Sequence, residues 1–326
     1  MTALAVLGLS AALASPPPIQ TGPLPHEPIT DGDFKVHGLA EGGFRSYLGP
    51  EDDFDEHETG AYLHFARLQT VYTHPDGFGS VLQIEAASGT LVLLDATAMI
   101  GRKESTQLIV GRFKTPLSSE FLVPAGQLLL PTRSATSWLS TRRATGVQLS
   151  HHVRPELLIR GGVYNPSGSK PIQGVGTTTI LAVDYHPGGW TFHAAAGTWI
   201  HDEVSVKVLG EDAPVGDRTG DVAATWHAHG WTLHTELIGS HRLDDSGWDG
   251  AVGAMAAHRF SFHENFDLEP VLAWDTIQQD DALLHRVGVG ANLHLDNWHM
   301  VQTLAYEGEH DQAMHHTLYL QTQVGF

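Results

Sequence analysis

A closed, antiparallel β-barrel that crosses a lipid bilayer is the fold this sequence predicts. Three observations predict it: sixteen short segments of β-type alternation, connections that alternate between long and short, and aromatic residues at the segment ends. The segments run roughly over residues 34–47, 61–73, 78–87, 91–100, 106–114, 142–152, 156–164, 177–186, 190–200, 219–229, 231–240, 250–259, 266–276, 285–295, 298–307 and 315–326. Side chains in a strand have a period of two, so a wall with lipid on one side and water on the other must alternate. Segment 219–229 does so: Val222, Ala224, Trp226 and Ala228 interleave with Ala223, Thr225, His227 and His229. A count of fourteen stays open as the alternative, through the weaker segments near residues 78–100.

The connections carry the second argument. "THPDGFG", "GRKES", "HVRPE", "HPGGW", "HGW", "HRFSFHEN" and "LDNW" are short. Between them fall the longer "LGPEDDFDEHETG", residues 115–141, "NPSGSKPIQGVGT", "HDEVSVKVLGEDAPVGDR", "SHRLDDSGWDG", "TIQQDDALL" and "EGEHDQAMH", with "ASGT" the one short member of that set. Bacterial outer-membrane barrels have this asymmetry, with tight periplasmic turns, longer external loops and an even strand number. Trp190, Trp231 and Trp298 each stand where a strand resumes after a short turn, and Tyr62 and Tyr72 share one strand face. Those positions predict an aromatic girdle at the lipid interface. The terminal "MHHTLYLQTQVGF" alternates up to Phe326, the last lipid-facing position of a closing strand.

Outside the barrel segments, residues 1–14 resemble a secretory signal peptide, ending at an Ala12-Leu13-Ala14 cleavage-like site. Residues 15–32 are proline-rich and read as a periplasmic tether, which leaves 33–326 for the barrel. No apolar stretch elsewhere approaches the ~18 residues of a helical span. Cysteine is absent, which excludes disulfides, thiolate metal sites and cysteine nucleophiles. Nothing in the chain calls for a cofactor or points to nucleic acid. A membrane-embedded lipase or deacylase would need a Ser and a His held by an acid or amide, and no local pattern singles out such a nucleophile. The expectation is a non-enzymatic protein.

Residues 110–135, "VGRFKTPLSSEFLVPAGQLLLPTRSA", resemble the phosphate-selective porin O and P family through Gly111, Phe113, Lys114, Pro116, Ser118 and Arg133. "HFARLQ" at 64–69 is similar to the family's "R-R-A-R-L" strand, and "RRATGVQLS" at 142–150 to its "R-x-x-G-V-Q-L" strand. The resemblance covers about residues 60–165. It implies a sixteen-stranded, homotrimeric porin of a Gram-negative outer membrane, in contact with lipid and lipopolysaccharide. It also implies that the third external loop folds inward to narrow the channel, with arginine and lysine lining an anion path. Two positions depart from the pattern: His64 and Phe65 stand where the family has paired arginines, and Arg112 replaces its glutamine.

Net charge is −19, but its location matters more than its sum. The first, fifth, sixth, seventh and eighth external loops gather acids, from Glu51, Asp52, Asp53, Asp55, Glu56 and Glu58 to Glu307, Glu309 and Asp311. Carboxylates there suit divalent cations that bridge lipopolysaccharide, or form a solvated repulsive rim. Residues 102–160 go the other way, with nine Lys and Arg against Glu104, Glu120 and Glu156. A low-dielectric wall focuses such a field, so these charges predict a weak anion preference. Arg67, Arg112, Lys114, Arg133, Arg142 and Arg143 are the candidate pore-lining residues. Arg112 and Lys114 share one strand face, and lipid exposure would cost each ~2–4 kcal/mol at mid-depth. Arg142 and Arg143 are adjacent, so one of them belongs to the rim.

Twenty-two histidines give a second reading of the lumen. His227, His229 and His234 fall on the inward side at a spacing that could hold zinc or copper, which would make the barrel a metal-uptake porin. Histidines also crowd the short turns, as amphipathic interfacial residues would. The expected function is a water-filled channel for small hydrophilic solutes or anions, phosphate and polyphosphate among them. The alternatives are the metal-uptake porin and an occluded structural or adhesive barrel.

Overall fold

Lipid offers no hydrogen-bond partners, so a sheet within it must pair every strand on both sides. The computed structural model describes residues 32–47, 59–87, 90–166, 176–200, 216–242, 247–263, 266–279, 282–295, 299–310 and 314–325, and in it the sheet does close. The strands are β1 (Asp33–Tyr47), β2 (Gly60–Thr73), β3 (Phe78–Ala87), β4 (Thr90–Gly101), β5 (Thr106–Lys114), β6 (Arg143–Arg154), β7 (Leu157–Pro166) and β8 (Thr177–Tyr185). They continue as β9 (Trp190–Ile200), β10 (Gly216–Ala228), β11 (Trp231–Arg242), β12 (Trp248–His258, resuming after Arg259 as Phe260–His263), β13 (Phe266–Gln279), β14 (Ala282–Leu295), β15 (Met300–His310) and β16 (Met314–Gly325). Each strand pairs antiparallel with its chain neighbours, and β1 pairs with both β2 and β16, so the barrel has sixteen strands. The signal-peptide segment, all but the last residue of the tether, Trp298 and Phe326 lie outside the described residues.

The wall is inverted relative to a soluble core. Val110, Val147, Leu149, Leu181, Val222, Leu237, Leu272 and Leu304 are exposed on the outer surface. Their strand neighbours Gln148, Asp221, Glu236, Asp275, Arg286, Asn292 and Glu307 are buried on the inside. At the short-turn edge an aromatic belt runs outside: Trp190 stacks on Phe192 at 5.5 Å, and Trp231 meets the His258 ring at 4.6 Å. Phe260 and Phe262 extend the belt, 45% and 63% exposed. Large amphipathic rings at that edge suit the headgroup layer.

Two expectations change. Tyr62 and Tyr72 do not share a face, because a bulge leaves His64 without a partner between the pairs Glu41–Phe65 and Gly42–Leu63. One extra residue reverses the parity beyond it, and the Tyr62 hydroxyl donates to the inward Gln321 Oε1 at 3.1 Å. Several connections in the second half are also shorter than the sequence suggests, since β10 to β16 run longer. Asp217, Asp249, Glu307 and Glu309 thus lie in strands, not in loops. Glu307 is buried at 7% exposure, and Asp249 accepts from Arg242 Nε at 2.7 Å, so neither is a free rim charge.

Candidate functional site

Between β5 and β6 the chain makes one long excursion, residues 115–141, holding the short helix α1 (Ser119–Leu122) and two single 3-10 turns. Its hydrogen bonds run to inward side chains of the opposite wall. Glu236 on β11, only 1% exposed, accepts from the Ser119 and Glu120 amides at 2.7 and 3.3 Å and from the Thr136 hydroxyl at 2.8 Å. Arg286 on β14 donates to Asp275 at 2.8 Å, to Thr132 Oγ1 at 3.1 Å and to the Arg133 carbonyl. Thr132 in turn donates to Glu307 Oε1 at 2.7 Å, and Asn292 Nδ2 donates to the Leu129 carbonyl at 2.9 Å.

Apolar contacts reinforce the same seat. Ala135 and Leu139 cluster with Ile238, Ala251 and Ile277 of the wall. Leu130 lies over Gly288 and Gly290, where an added Cβ would stand 2.6 and 3.1 Å from its methyl groups. Both glycines point inward in "VGVG", leaving room that the leucine fills. The excursion therefore rests on β11–β15.

Across from that seat lies a cavity of about 840 Å³, bounded by residues of 119–133 and by inward side chains of β1 to β10. Its lining carries Arg67, Lys103, Lys114, Arg133, Arg143 and Arg160 against Glu41, Asp95 and Asp184. Arg67 pairs with Glu85, and Arg143 donates to both Asp95 carboxylate oxygens at 2.9 and 3.3 Å. Lys114 Nζ donates to the carbonyls of Phe121, Leu122 and Val123 at 2.7, 3.3 and 3.0 Å. The Arg133 guanidinium donates at 2.7 Å to the carbonyls of Glu120 and Val123. Two cations thus close the carbonyl end of α1. Burial pushes the Glu120 carboxyl above the usual carboxylate range, with Arg133 beside it pulling back, and burial lowers Arg133 in turn.

Of the other sequence candidates, His227 borders this cavity, whereas Arg112, Arg142, His229 and His234 stand apart from its lining. Arg112 is buried at 4% exposure, with Nε donating to the Leu93 carbonyl at 3.3 Å. Arg142 is exposed ahead of β6, and its carbonyl receives the Thr115 amide at 3.0 Å. His234 Nδ1 pairs with Thr225 Oγ1 at 2.8 Å, and His227 Nδ1 with Thr232 Oγ1 at 3.0 Å. His229 sits in the turn after β10 with φ of 50°. These three do not converge, and among the described residues no group of three or more His, Asp or Glu could hold a metal ion.

No local pattern marks Glu236 or Arg286, single charged residues in ordinary strands whose partners in the excursion lie 100 or more positions away. The inward pair Gly288 and Gly290 did offer one, because two missing side chains on one face mark space for another segment. A further inward chain joins Arg160 to Asp184 at 2.6 Å, Asp184 to His193 at 2.7 Å and His193 to Asp221 at 3.3 Å.

No protein-family model matches the chain, and no curated protein sequence does. Solved structures match over most of their length. The chain is similar to the Salmonella typhi OmpF complex with daunomycin, at 12% identity and TM-score 0.65, covering 90% of this chain and 98% of that one. It is similar to an anion-selective porin from Comamonas acidovorans, at 10% identity and TM-score 0.60, covering 91% and 100%. It is also similar to in-vitro folded OmpT, an outer membrane protein of Vibrio cholerae in trimer form, at 10% identity and TM-score 0.63, covering 91% and 100%. At such identities the likeness speaks to architecture, and the architecture is that of the outer-membrane porins.

Proposed function

We propose that this protein forms a water-filled channel through the outer membrane of a Gram-negative bacterium, passing small hydrophilic solutes with a weak preference for anions. The observation that carries the reading is the inverted wall around a cavity where six Lys and Arg face three acids. A low-dielectric barrel focuses that excess onto the path of a permeating ion. Arg67, Lys114, Arg133 and Arg143 form the narrow part with the excursion 115–141, and Arg112 and Arg142 support it from the wall and the rim. The resemblance of residues 110–135 to the phosphate-selective porins favours phosphate or polyphosphate as the preferred anion. A homotrimer, lipopolysaccharide contact at the acidic loops and export through a cleaved leader complete the proposal, which involves no catalysis and no cofactor.

Reversal potential in a planar bilayer under a KCl gradient tests it. A value on the chloride side is expected, and clear potassium selectivity would overturn the reading. Replacing Arg67 and Lys114 by Ala should move the reversal potential toward zero; an unchanged value would remove both from the ion path. Absence of conductance would favour the occluded, structural barrel.

A further inference from the structure

The cavity carries a second set of groups that the anion reading leaves unused. His152 on β6, His186 in the β8–β9 turn and His227 on β10 all line it, and His37 on β1 lines it as well. They sit toward the short-turn end: His152 takes the Ser105 carbonyl of the β4–β5 turn through its amide, His186 that of Glu156, and His227 that of Gly189. Two of these imidazoles are oriented by threonines, with His186 Nδ1 on Thr191 Oγ1 and His227 Nδ1 on Thr232 Oγ1, both at 3.0 Å. A ring held through Nδ1 keeps Nε2 available to water and ions. His186 and His227 are solvent-exposed, so each can change charge without leaving the protein's hydrated space.

We propose that His152, His186 and His227 are specificity-determining residues of the channel, whose protonation converts a weakly anion-preferring path into a strongly anion-preferring one. The inference rests on the channel reading and adds to it a proton-controlled component. Around these imidazoles the fixed charges are Lys103 from the β4–β5 turn, Arg160 on β7 and Asp184 on β8, with His193 on β9 and His234 on β11 as further titratable neighbours. Asp184 is already engaged by Arg160 and His193, so it offers the rim little spare negative charge. Burial and the nearby Arg160 and His152 lower His186 from the ordinary imidazole value, and Asp184 works against them. Ordinary imidazoles are uncharged at pH 8 and gain charge on acidification, a range in which ordinary carboxylates remain ionised. Three added charges would double the excess of three that the lining carries with neutral imidazoles.

The test is reversal potential at pH 8.0 and pH 5.5 for the wild type and for the triple variant His152→Gln, His186→Gln, His227→Gln. The chloride-to-potassium permeability ratio of the wild type should rise by at least about twofold on acidification, and the variant should lose most of that rise. Selectivity at pH 8.0 reports the Arg and Lys cluster alone. A cation-selective wild type at pH 8.0 therefore sinks the anion reading, whereas anion selectivity with no pH response sinks only this inference. A variant that keeps the full response would overturn it too, by moving the titration elsewhere. Histidine resonances in detergent micelles give a readout independent of conductance. Added inorganic phosphate should raise the titration midpoints of three imidazoles, and those signals should be missing from the variant. Midpoints indifferent to phosphate would count against the inference even if the variant failed to fold.

Discussion

At the scale of single residues, Glu236 has the largest structural consequence. One buried carboxylate receives two backbone amides and a hydroxyl from residues 100 to 117 positions away in the chain. Glu236→Gln puts amide hydrogens among donors and leaves at least one of them unmatched, at a cost of about 1–3 kcal/mol. The excursion should loosen, seen as higher single-channel conductance and more open-channel noise; a quiet channel of unchanged conductance would show that the seat does not depend on this group. Gly288→Val tests the apolar half of the seat, since its Cβ would meet Leu130. That variant should also conduct differently, while its barrel keeps its resistance to unfolding in detergent.

At the scale of elements, the strand rhythm was legible because two different solvents impose it. Val222, Ala224 and Trp226 could be assigned to lipid from sequence alone, and the structure leaves Val222 53% exposed on that side. Val222→Arg should therefore destabilise the barrel by ~2–4 kcal/mol if it lies at mid-depth. Thr225→Arg, three residues on and inward, should cost much less. Equal urea midpoints for the two variants would contradict the assignment of faces. The rhythm fails where the backbone inserts a residue: nothing in "YLHFAR" announces the bulge at His64 that turns Tyr62 inward. It also fails at strand ends, where "EGEH" reads as an acidic loop although Glu307 is buried within β15 and holds Thr132. Acidic residues signal loops in a water-soluble sheet, and a wet lumen removes that signal.

At the scale of the whole molecule, the barrel and its strand number could be read from the alternation, and of the basic residues in 102–160, Lys103, Lys114, Arg133, Arg143 and Arg160 line the cavity. What the sequence could not show is the counterpart wall, where Glu236, Arg286 and Glu307 come from three strands far from the excursion they hold. The girdle is a property of this scale as well. Trp190 and Trp231 stand at the same edge, so lipids brominated near the glycerol should quench their fluorescence more than lipids brominated at the chain terminus. The opposite order would put that edge at the wrong depth.

The seam between β1 and β16 joins the two extremes of the described chain, from Leu39 opposite Gly325 to Tyr47 opposite Thr317. Until that last ladder zips, both rims of the curved sheet remain sticky, and neither can rest in oil. Insertion and sealing must consequently finish together, and a polypeptide shortened by its final hairpin would be stranded as an unclosed gutter, prone to capture by any neighbour with a spare edge.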